Sequence, residues 1–232
     1  MKITVINGQN HKGNTHFVAH RLIDNITCEK EVEEFFLPRD LDHFCTGCYS
    51  CLEGRERCPF HEEKDRIERS MQESDLIIFS TPNYCMMPSA PMKAFLDLSF
   101  TNWMSHKPHE CMFSKRAVVI STAAGAGAKK AAKLVAVNLR NWGIPYIKTF
   151  GISVNATDWD TAPEKKRRKM ERSMSSLGRS LSKKKGVRVG IRTRMMFMVF
   201  RGMQKAGWGA SPSERAYWEG KGWLDGARPW KK

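Results

Sequence analysis

The stretch KITVINGQNHKGNTHFVAHRLIDNI, residues 2–26, decides the fold of this chain. It begins with a short run rich in β-branched residues that ends at Gly8, a pattern typical of a buried strand followed by a turn. Residues 15–26 then space their apolar side chains along one face of a helix, with Thr15 available as its cap. The chain is therefore predicted to open with a strand, a polar loop and a helix.

The same alternation of strand and helix continues to about residue 154. Further strands are predicted at residues 31–37, 75–82, 116–123 and 144–154, and further helices at residues 64–74, 89–100 and 128–143. Parallel strands need long crossover connections, and helices usually supply them. The pattern therefore predicts an α/β fold, a doubly wound five-stranded parallel sheet with helices on both faces.

The net charge of +15 divides the chain into two parts. Residues 160–232 carry 20 Lys and Arg against 6 Asp and Glu, a net charge of +14, whereas residues 1–159 carry +1. We therefore predict a near-neutral domain over 1–159 and a basic helical C-terminal extension over 160–232, whose first helix packs on the sheet. No nucleic-acid-binding motif accompanies the basic charge, so a nucleic-acid partner is not predicted.

The apolar block Met195–Phe200 of the extension has arginines on either side. It is too short to span a bilayer. Two roles fit it, a weak contact with an anionic membrane surface or packing on the protein body or on a second subunit, and packing is favoured. Tyr217, Trp218 and Trp223 are expected to anchor the terminal segment.

No window is apolar enough for a membrane-spanning helix, and the first residues lack the pattern of a secretory signal. A cytoplasmic location is therefore expected. In that compartment, clustered cysteines favour metal or redox chemistry over structural disulfides.

Three loops follow the carboxyl ends of the predicted strands, where open parallel sheets bind their ligands. Residues 8–15 combine glycines and polar side chains ahead of a helix, which suits a single phosphate group, although an ordinary polar turn fits as well. They match neither the Walker pattern nor the dinucleotide pattern of glycines. Residues 82–87 offer a flat ring and soft apolar contacts to a planar ligand, while the glycines at residues 121–128 let the backbone approach one closely.

Together, INGQNHKGNTHFVAHRL at residues 6–22, SDLIIFSTPNY at 74–84 and APMKAFLD at 90–97 resemble the flavodoxin-like NAD(P)H-dependent oxidoreductases, whose members bind FMN. The resemblance covers about residues 1–155 and implies a flavodoxin-like fold. It implies that the FMN phosphate lies at Gln9, His11, Gly13, Asn14 and Thr15. It also implies that the isoalloxazine ring lies against Pro82, Asn83, Tyr84 and Met86, with Thr122, Gly125 and Gly127 closing its other side.

Four of the seven cysteines fall in one loop, CTGCYSCLEGRERC, with gaps of two, two and six residues. They are Cys45, Cys48, Cys51 and Cys58. The spacing resembles that of the iron-sulfur flavoproteins, a branch of the same family with a [4Fe-4S] cluster beside FMN, and it would let thiolates wrap a cubane. Free or redox-active thiols and a zinc site are the alternatives. Arg55 and Arg57 would offset the charge of such a cluster, and Cys28, Cys85 and Cys111 are expected to be buried.

Two functions of different class follow. The first is an FMN-dependent NAD(P)H oxidoreductase that passes electrons to a small acceptor or a redox protein, through a [4Fe-4S] cluster if one is present. The second is a flavodoxin-like electron carrier without nicotinamide turnover. No side chain is assigned a general acid or base role, and relatives of this fold suggest a homo-oligomer.

Overall fold

The computed structural model describes residues 1–156, 158–183, 186–209 and 211–231, and a parallel sheet forms its centre. The strands are β1 (Lys2–Asn7), β2 (Glu31–Phe36), β3 (Leu76–Tyr84), β4 (Met87–Pro88), β5 (Arg116–Ala123) and β6 (Tyr146–Ser153). The five long strands run parallel in the order β2-β1-β3-β5-β6. The predicted five-stranded parallel sheet is confirmed, and β4 adds an unpredicted two-residue antiparallel pairing to β3.

Eight α-helices connect and flank these strands in the described part of the chain. They are α1 (Asn14–Asp24), α2 (Ser50–Glu53), α3 (His61–Glu73), α4 (Ala90–Leu98), α5 (Ala128–Asn141), α6 (Glu164–Ser182), α7 (Ile191–Ala206) and α8 (Pro212–Gly220). Short 3-10 turns lie at Arg55–Arg57, Phe100–Asn102 and Glu110–Ser114. None of the described helices combines the length and apolar character needed to cross a bilayer.

Each face of the sheet is covered by its own hydrophobic core. Apolar side chains of α3, α4 and α5 pack on one face, and those of α1 and α6 pack on the other. In the central strands, neighbouring residues belong to opposite cores: Ile77 and Phe79 face the first, and Leu76 and Ile78 face the second. This continuous apolar character is typical of parallel strands buried on both faces.

The first helix of the basic extension completes the second core. α6 buries Met170, Met174 and Leu177 against the sheet and α1, while its charged residues point outwards. The proposed division of the chain at residues 159 and 160 stays a prediction.

The rest of the extension forms a third core against the segment that precedes β5. Phe197 of α7 is fully buried, and its ring lies 5.1 Å from that of Trp218 and 5.8 Å from that of Phe113. Trp218 donates a hydrogen bond to the carbonyl oxygen of His106 at 2.6 Å. Part of the apolar block of α7 therefore packs on the protein body, and Trp218 anchors the terminal segment.

Candidate functional site

The three predicted ligand loops meet at the carboxyl edge of the sheet. The chain leaves β1 towards one edge of the sheet and β3 towards the other, so a crevice opens between the ends of these neighbouring strands. The first loop follows β1, the second follows β3 and the third follows β5. Topology alone therefore brings together segments far apart in the sequence.

The first loop ends at the start of α1, where Gly13 is the cap residue and no side chain caps the helix. The first backbone N–H groups of an α-helix have no partner within the helix and favour an anion. The side chain of Gln9 is buried beneath the loop and donates to the carbonyl oxygen of His11 at 3.0 Å. Thr15 does not cap α1, so that prediction was wrong. Its hydroxyl instead lies 2.5 Å from that of Thr122 and ties the first loop to β5.

The second loop is a tight hairpin between β3 and β4. Tyr84 pairs with Met87, and Cys85 and Met86 between them have φ angles of 50° and 65°. Two positive φ angles in a two-residue hairpin are typical of a type I′ turn, which usually requires glycine or asparagine. The backbone is therefore strained at Cys85 and Met86, whose side chains are exposed, as is that of Tyr84. The expectation that Cys85 is buried was therefore wrong.

The third loop lies directly against the second. The amide nitrogen of Asn83 donates to the carbonyl oxygen of Ala126 at 3.0 Å, while the amide oxygen of Asn83 is buried without a hydrogen-bond partner. Gly127 has a φ of 92°, and a Cβ atom there would lie 2.6 Å from the sulfur of Met86. Gly125 has open space around it. Gly127 is therefore required by this loop, whereas Gly125 is not.

These loops have the features that a flavin mononucleotide would use. The start of α1, where Gly13 caps the helix without a side chain, offers backbone N–H groups to a phosphate, and the exposed Tyr84 and Met86 offer apolar surface to a ring. The buried, unpartnered oxygen of Asn83 offers an acceptor to a ring N–H group. The residues present therefore fit FMN.

The cysteine loop lies between β2 and α3 and contains four free thiols. Cys58 is buried, Cys51 is half-buried, and Cys45 and Cys48 are exposed. All four line one small cavity, whose walls also include Thr46, Tyr49, Pro59, Phe60, Leu98 and Phe100. Leu98 ends α4, the helix that begins directly after the second ligand loop, so the protein body connects the cavity with that loop.

The thiols of this loop differ in their tendency to ionise. Burial raises the pKa of Cys51, and the neighbouring Cys58 adds to the rise. Hydrogen bonds to the exposed Cys48, first from the side chain of Ser50, lower its pKa. Lys64, 1% exposed, is a buried cation whose charge acts on Cys51 in the opposite direction. The sequence prediction missed this residue because a lysine within a helix usually faces solvent.

The predicted role of Arg55 requires a correction. Its guanidinium donates to the Asp65 carboxylate at 2.6 Å and also contacts Glu68, so two acids already neutralise its charge. Glu68 is 1% exposed and also accepts a hydrogen bond from Asn102 at 2.8 Å. This network fixes the far end of the cysteine loop to α3.

The basic extension holds the middle of the cysteine loop. Lys107 donates to the carbonyl oxygen of Leu52 at 2.6 Å and to the hydroxyl of Ser213 at 2.7 Å. Ser213, at the start of α8, donates in turn to the carbonyl oxygen of Glu53 at 2.9 Å. The extension therefore touches a candidate site, which its charge pattern did not predict.

The doubly wound sheet, with its ligand loops at the carboxyl edge, places the chain among the flavodoxin-like α/β proteins. The family model described as NADPH-dependent FMN reductase matches residues 1–159, and the chain belongs to that family.

Curated relatives match over a smaller part of the chain. An iron-sulfur flavoprotein of Archaeoglobus fulgidus is 34% identical over 67 residues, which are 29% of this chain and 30% of that protein. An iron-sulfur flavoprotein of Methanocaldococcus jannaschii is 33% identical over 101 residues, 43% of this chain and 52% of that protein. The chain thus matches between about a third and half of the length of these relatives.

Solved structures share the fold at low sequence identity. An azoreductase from Bacillus anthracis has a TM-score of 0.59 and 14% identity, with 78% of this chain and 99% of that chain covered. An NAD(P)H:quinone oxidoreductase from Methanothermobacter marburgensis has a TM-score of 0.57 and 13% identity, with 80% and 98% covered. At these identities the similarity concerns the fold.

A further polar cluster lies outside all of the predicted site residues. His16 and His20 of α1 meet Glu34 of β2, and their ligand atoms lie within 4.8 Å of one another. The spacing of two histidines four residues apart on a helix could have indicated the pair. That Glu34 belongs to this cluster could be recognised only from the pairing of β2 with β1.

Proposed function

We propose that this protein is an NAD(P)H-dependent FMN oxidoreductase that passes electrons to a small acceptor or a redox protein. The observation that carries the proposal is the meeting of the three loops at the edge of the sheet, in a chain of the FMN reductase family. FMN held by these loops would supply the capacity to take up a hydride from a nicotinamide and to release electrons one or two at a time. The protein binds and orients the flavin.

The phosphate of FMN is proposed to bind at the first loop and the start of α1. The residues assigned to it are Gln9, His11, Gly13, Asn14 and Thr15. The dipole of α1 stabilises an anion there, and the hydrogen bond between Thr15 and Thr122 fixes the loop against β5. This preorganisation lowers the entropic cost of binding the phosphate.

The flavin ring is proposed to lie between the second and third loops. The residues assigned to it are Pro82, Asn83, Tyr84 and Met86 on one side, with Thr122, Gly125 and Gly127 on the other. Tyr84 and Met86 are 52% and 46% exposed, so one side of this ring site is open. A second copy of the chain is proposed to cover it, which would make the protein a homo-oligomer.

Multiple turnover distinguishes the oxidoreductase from the carrier. We expect FMN-loaded protein to oxidise many equivalents of NADPH or NADH when a small quinone is supplied as acceptor. A carrier without nicotinamide turnover would leave both nucleotides unoxidised although its flavin is reduced by dithionite.

A [4Fe-4S] cluster held by Cys45, Cys48, Cys51 and Cys58 is proposed as the second redox centre. Support comes from the shared cavity, the spacing of the cysteines and the relatives named iron-sulfur flavoproteins. The close succession of three cysteines also favours a cubane over zinc, whose structural sites more often use two well-separated pairs of cysteines.

Metal analysis of anaerobically prepared protein tests this second centre. About four irons per chain with matching acid-labile sulfide are expected. They should be lost in Cys51→Ser and kept in Cys28→Ser, a half-buried control cysteine outside the loop. Zinc without iron, or an iron content unchanged by Cys51→Ser, would contradict the assignment.

A further inference from the structure

The cluster of His16, His20 and Glu34 has the composition of a metal site. Nε2 of His20 lies 2.8 Å from one carboxylate oxygen of Glu34, and Nε2 of His16 lies 3.3 Å from the other. The two histidines are one helical turn apart on α1, and the centroids of their rings are 4.1 Å apart. Two imidazoles and one carboxylate are a frequent ligand set for zinc and similar divalent ions.

The hydrogen bonds within the cluster leave one nitrogen unsatisfied. His16 is 9% exposed, and its Nε2 atom lies 3.3 Å from the Glu34 carboxylate without a geometrically good hydrogen bond. A buried imidazole nitrogen without a hydrogen-bond partner is costly.

We propose that His16, His20 and Glu34 bind a divalent transition-metal ion of the zinc type, which links α1 to β2 beside the first ligand loop.

The distances suit such an ion after small side-chain movements. Ligand atoms at 2.0–2.1 Å from a tetrahedral zinc lie about 3.3 Å from one another. Of the contacts of Glu34 with the two histidines, the one at 3.3 Å equals this value and the one at 2.8 Å is about 0.5 Å shorter. The side chain of His20 is 36% exposed, which provides an entry path and leaves room for water as the fourth ligand.

The surroundings of the carboxylate also suit a ligand. Asn7 of β1 donates to Glu34 at 3.1 Å, an outer contact of the kind that orients metal-binding carboxylates. The site thus offers one carboxylate and two imidazole nitrogens to a metal ion.

Zinc binding by the full chain tests the proposal, provided that the cysteine loop is silenced. We would use Cys45→Ser/Cys48→Ser protein and measure Zn²⁺ affinity by competition with a chromophoric chelator. One Zn²⁺ per chain is expected, and His20→Gln should weaken its binding by at least about 100-fold. His43→Gln is the matched control, because the side chain of His43 is 38% exposed and also contacts acids. It should leave the affinity unchanged.

The absorption spectrum of bound Co²⁺ reports on the metal ligands directly. A substitution that affected only the stability of the fold would not change it. Bound Co²⁺ should show tetrahedral d–d bands without a sulfur-to-cobalt charge-transfer band, and Glu34→Gln should alter those bands. Circular dichroism of each variant checks that it is folded. Absence of Zn²⁺ binding in folded protein, or equal affinity with and without His20, would overturn the proposal.

Discussion

Gly127 is the residue on which the shape of the proposed flavin site depends most directly. Its φ of 92° disfavours any residue with a Cβ, and that atom would meet Met86 and Asn83. Gly127→Ala is therefore expected to cost about 1–3 kcal/mol of the free energy of unfolding and to weaken FMN binding at least about tenfold. Denaturant unfolding measures the change in stability, and quenching of flavin fluorescence measures the FMN affinity.

Gly125→Ala is the matched control for this prediction, because Gly125 has open space around it. It should change stability by less than about 0.5 kcal/mol. Equal FMN affinity in the two variants would show that the flavin does not bind between the second and third loops.

At the scale of single residues, the sequence could predict which loops meet at the carboxyl edge of the sheet but not how they touch. The position of each loop follows from the strand that precedes it. The bond between Thr15 and Thr122 joins residues 107 positions apart, which no local pattern reveals. For Cys85 the local pattern misled the prediction. Cysteine is a residue type that is usually buried, but the place of Cys85 in a tight turn exposes it.

At the scale of elements, the stability of α8 depends on one buried carboxylate, that of Glu214. Glu214 is 1% exposed, closes a capping box with Ser211 and lies 2.6 Å from Nδ1 of His106. Burial alone would raise its pKa, but the hydrogen bonds from His106 and Ser211 hold the pKa below its ordinary value of 4.5. A carboxylate with a lowered pKa stabilises the fold above pH 4.5, and this contribution is lost as the pH falls through the lowered value.

Glu214→Gln is therefore expected to lower the free energy of unfolding by about 1–3 kcal/mol at neutral pH. The difference from the unmodified protein should shrink as the pH falls below 4.5. Denaturant unfolding followed by tryptophan fluorescence reports on this region, since Trp218 and Trp223 lie in the same core. A difference that grows towards acidic pH would contradict the assigned charge state.

The contact between α8 and the cysteine loop gives a second prediction for an element. Lys107→Met removes the hydrogen bonds to Leu52 and Ser213. The loop should open more often, so alkylation of Cys51 in metal-free protein should accelerate about tenfold, as expected for the loss of about 1.4 kcal/mol. Lys93→Met is the control, since Lys93 pairs only with the exposed Asp97 of its own helix in the contacts described. Equal alkylation rates of Cys51 in the two variants would show that the contact through Lys107 does not restrain the cysteine loop.

At the scale of the whole molecule, two cores lie on the faces of the sheet and a third joins the extension to the segment before β5. The two cores on the sheet could be predicted, because alternating strands and amphipathic helices allow few arrangements. The third core could not, since it pairs Phe197 and Trp218 with Phe113, on a segment that has no periodic pattern. Charge marked the extension as separate, but its buried aromatic side chains bind it to the body.

Anaerobic single-turnover reduction tests the central claim most directly. FMN is added to the metal-free protein, unbound flavin is removed, and NADPH or NADH is mixed in while the flavin absorbance is followed. One FMN per chain should bind and be bleached by a single equivalent of at least one nucleotide. No retained FMN, or a bound flavin that dithionite reduces but neither nucleotide does, would contradict the account.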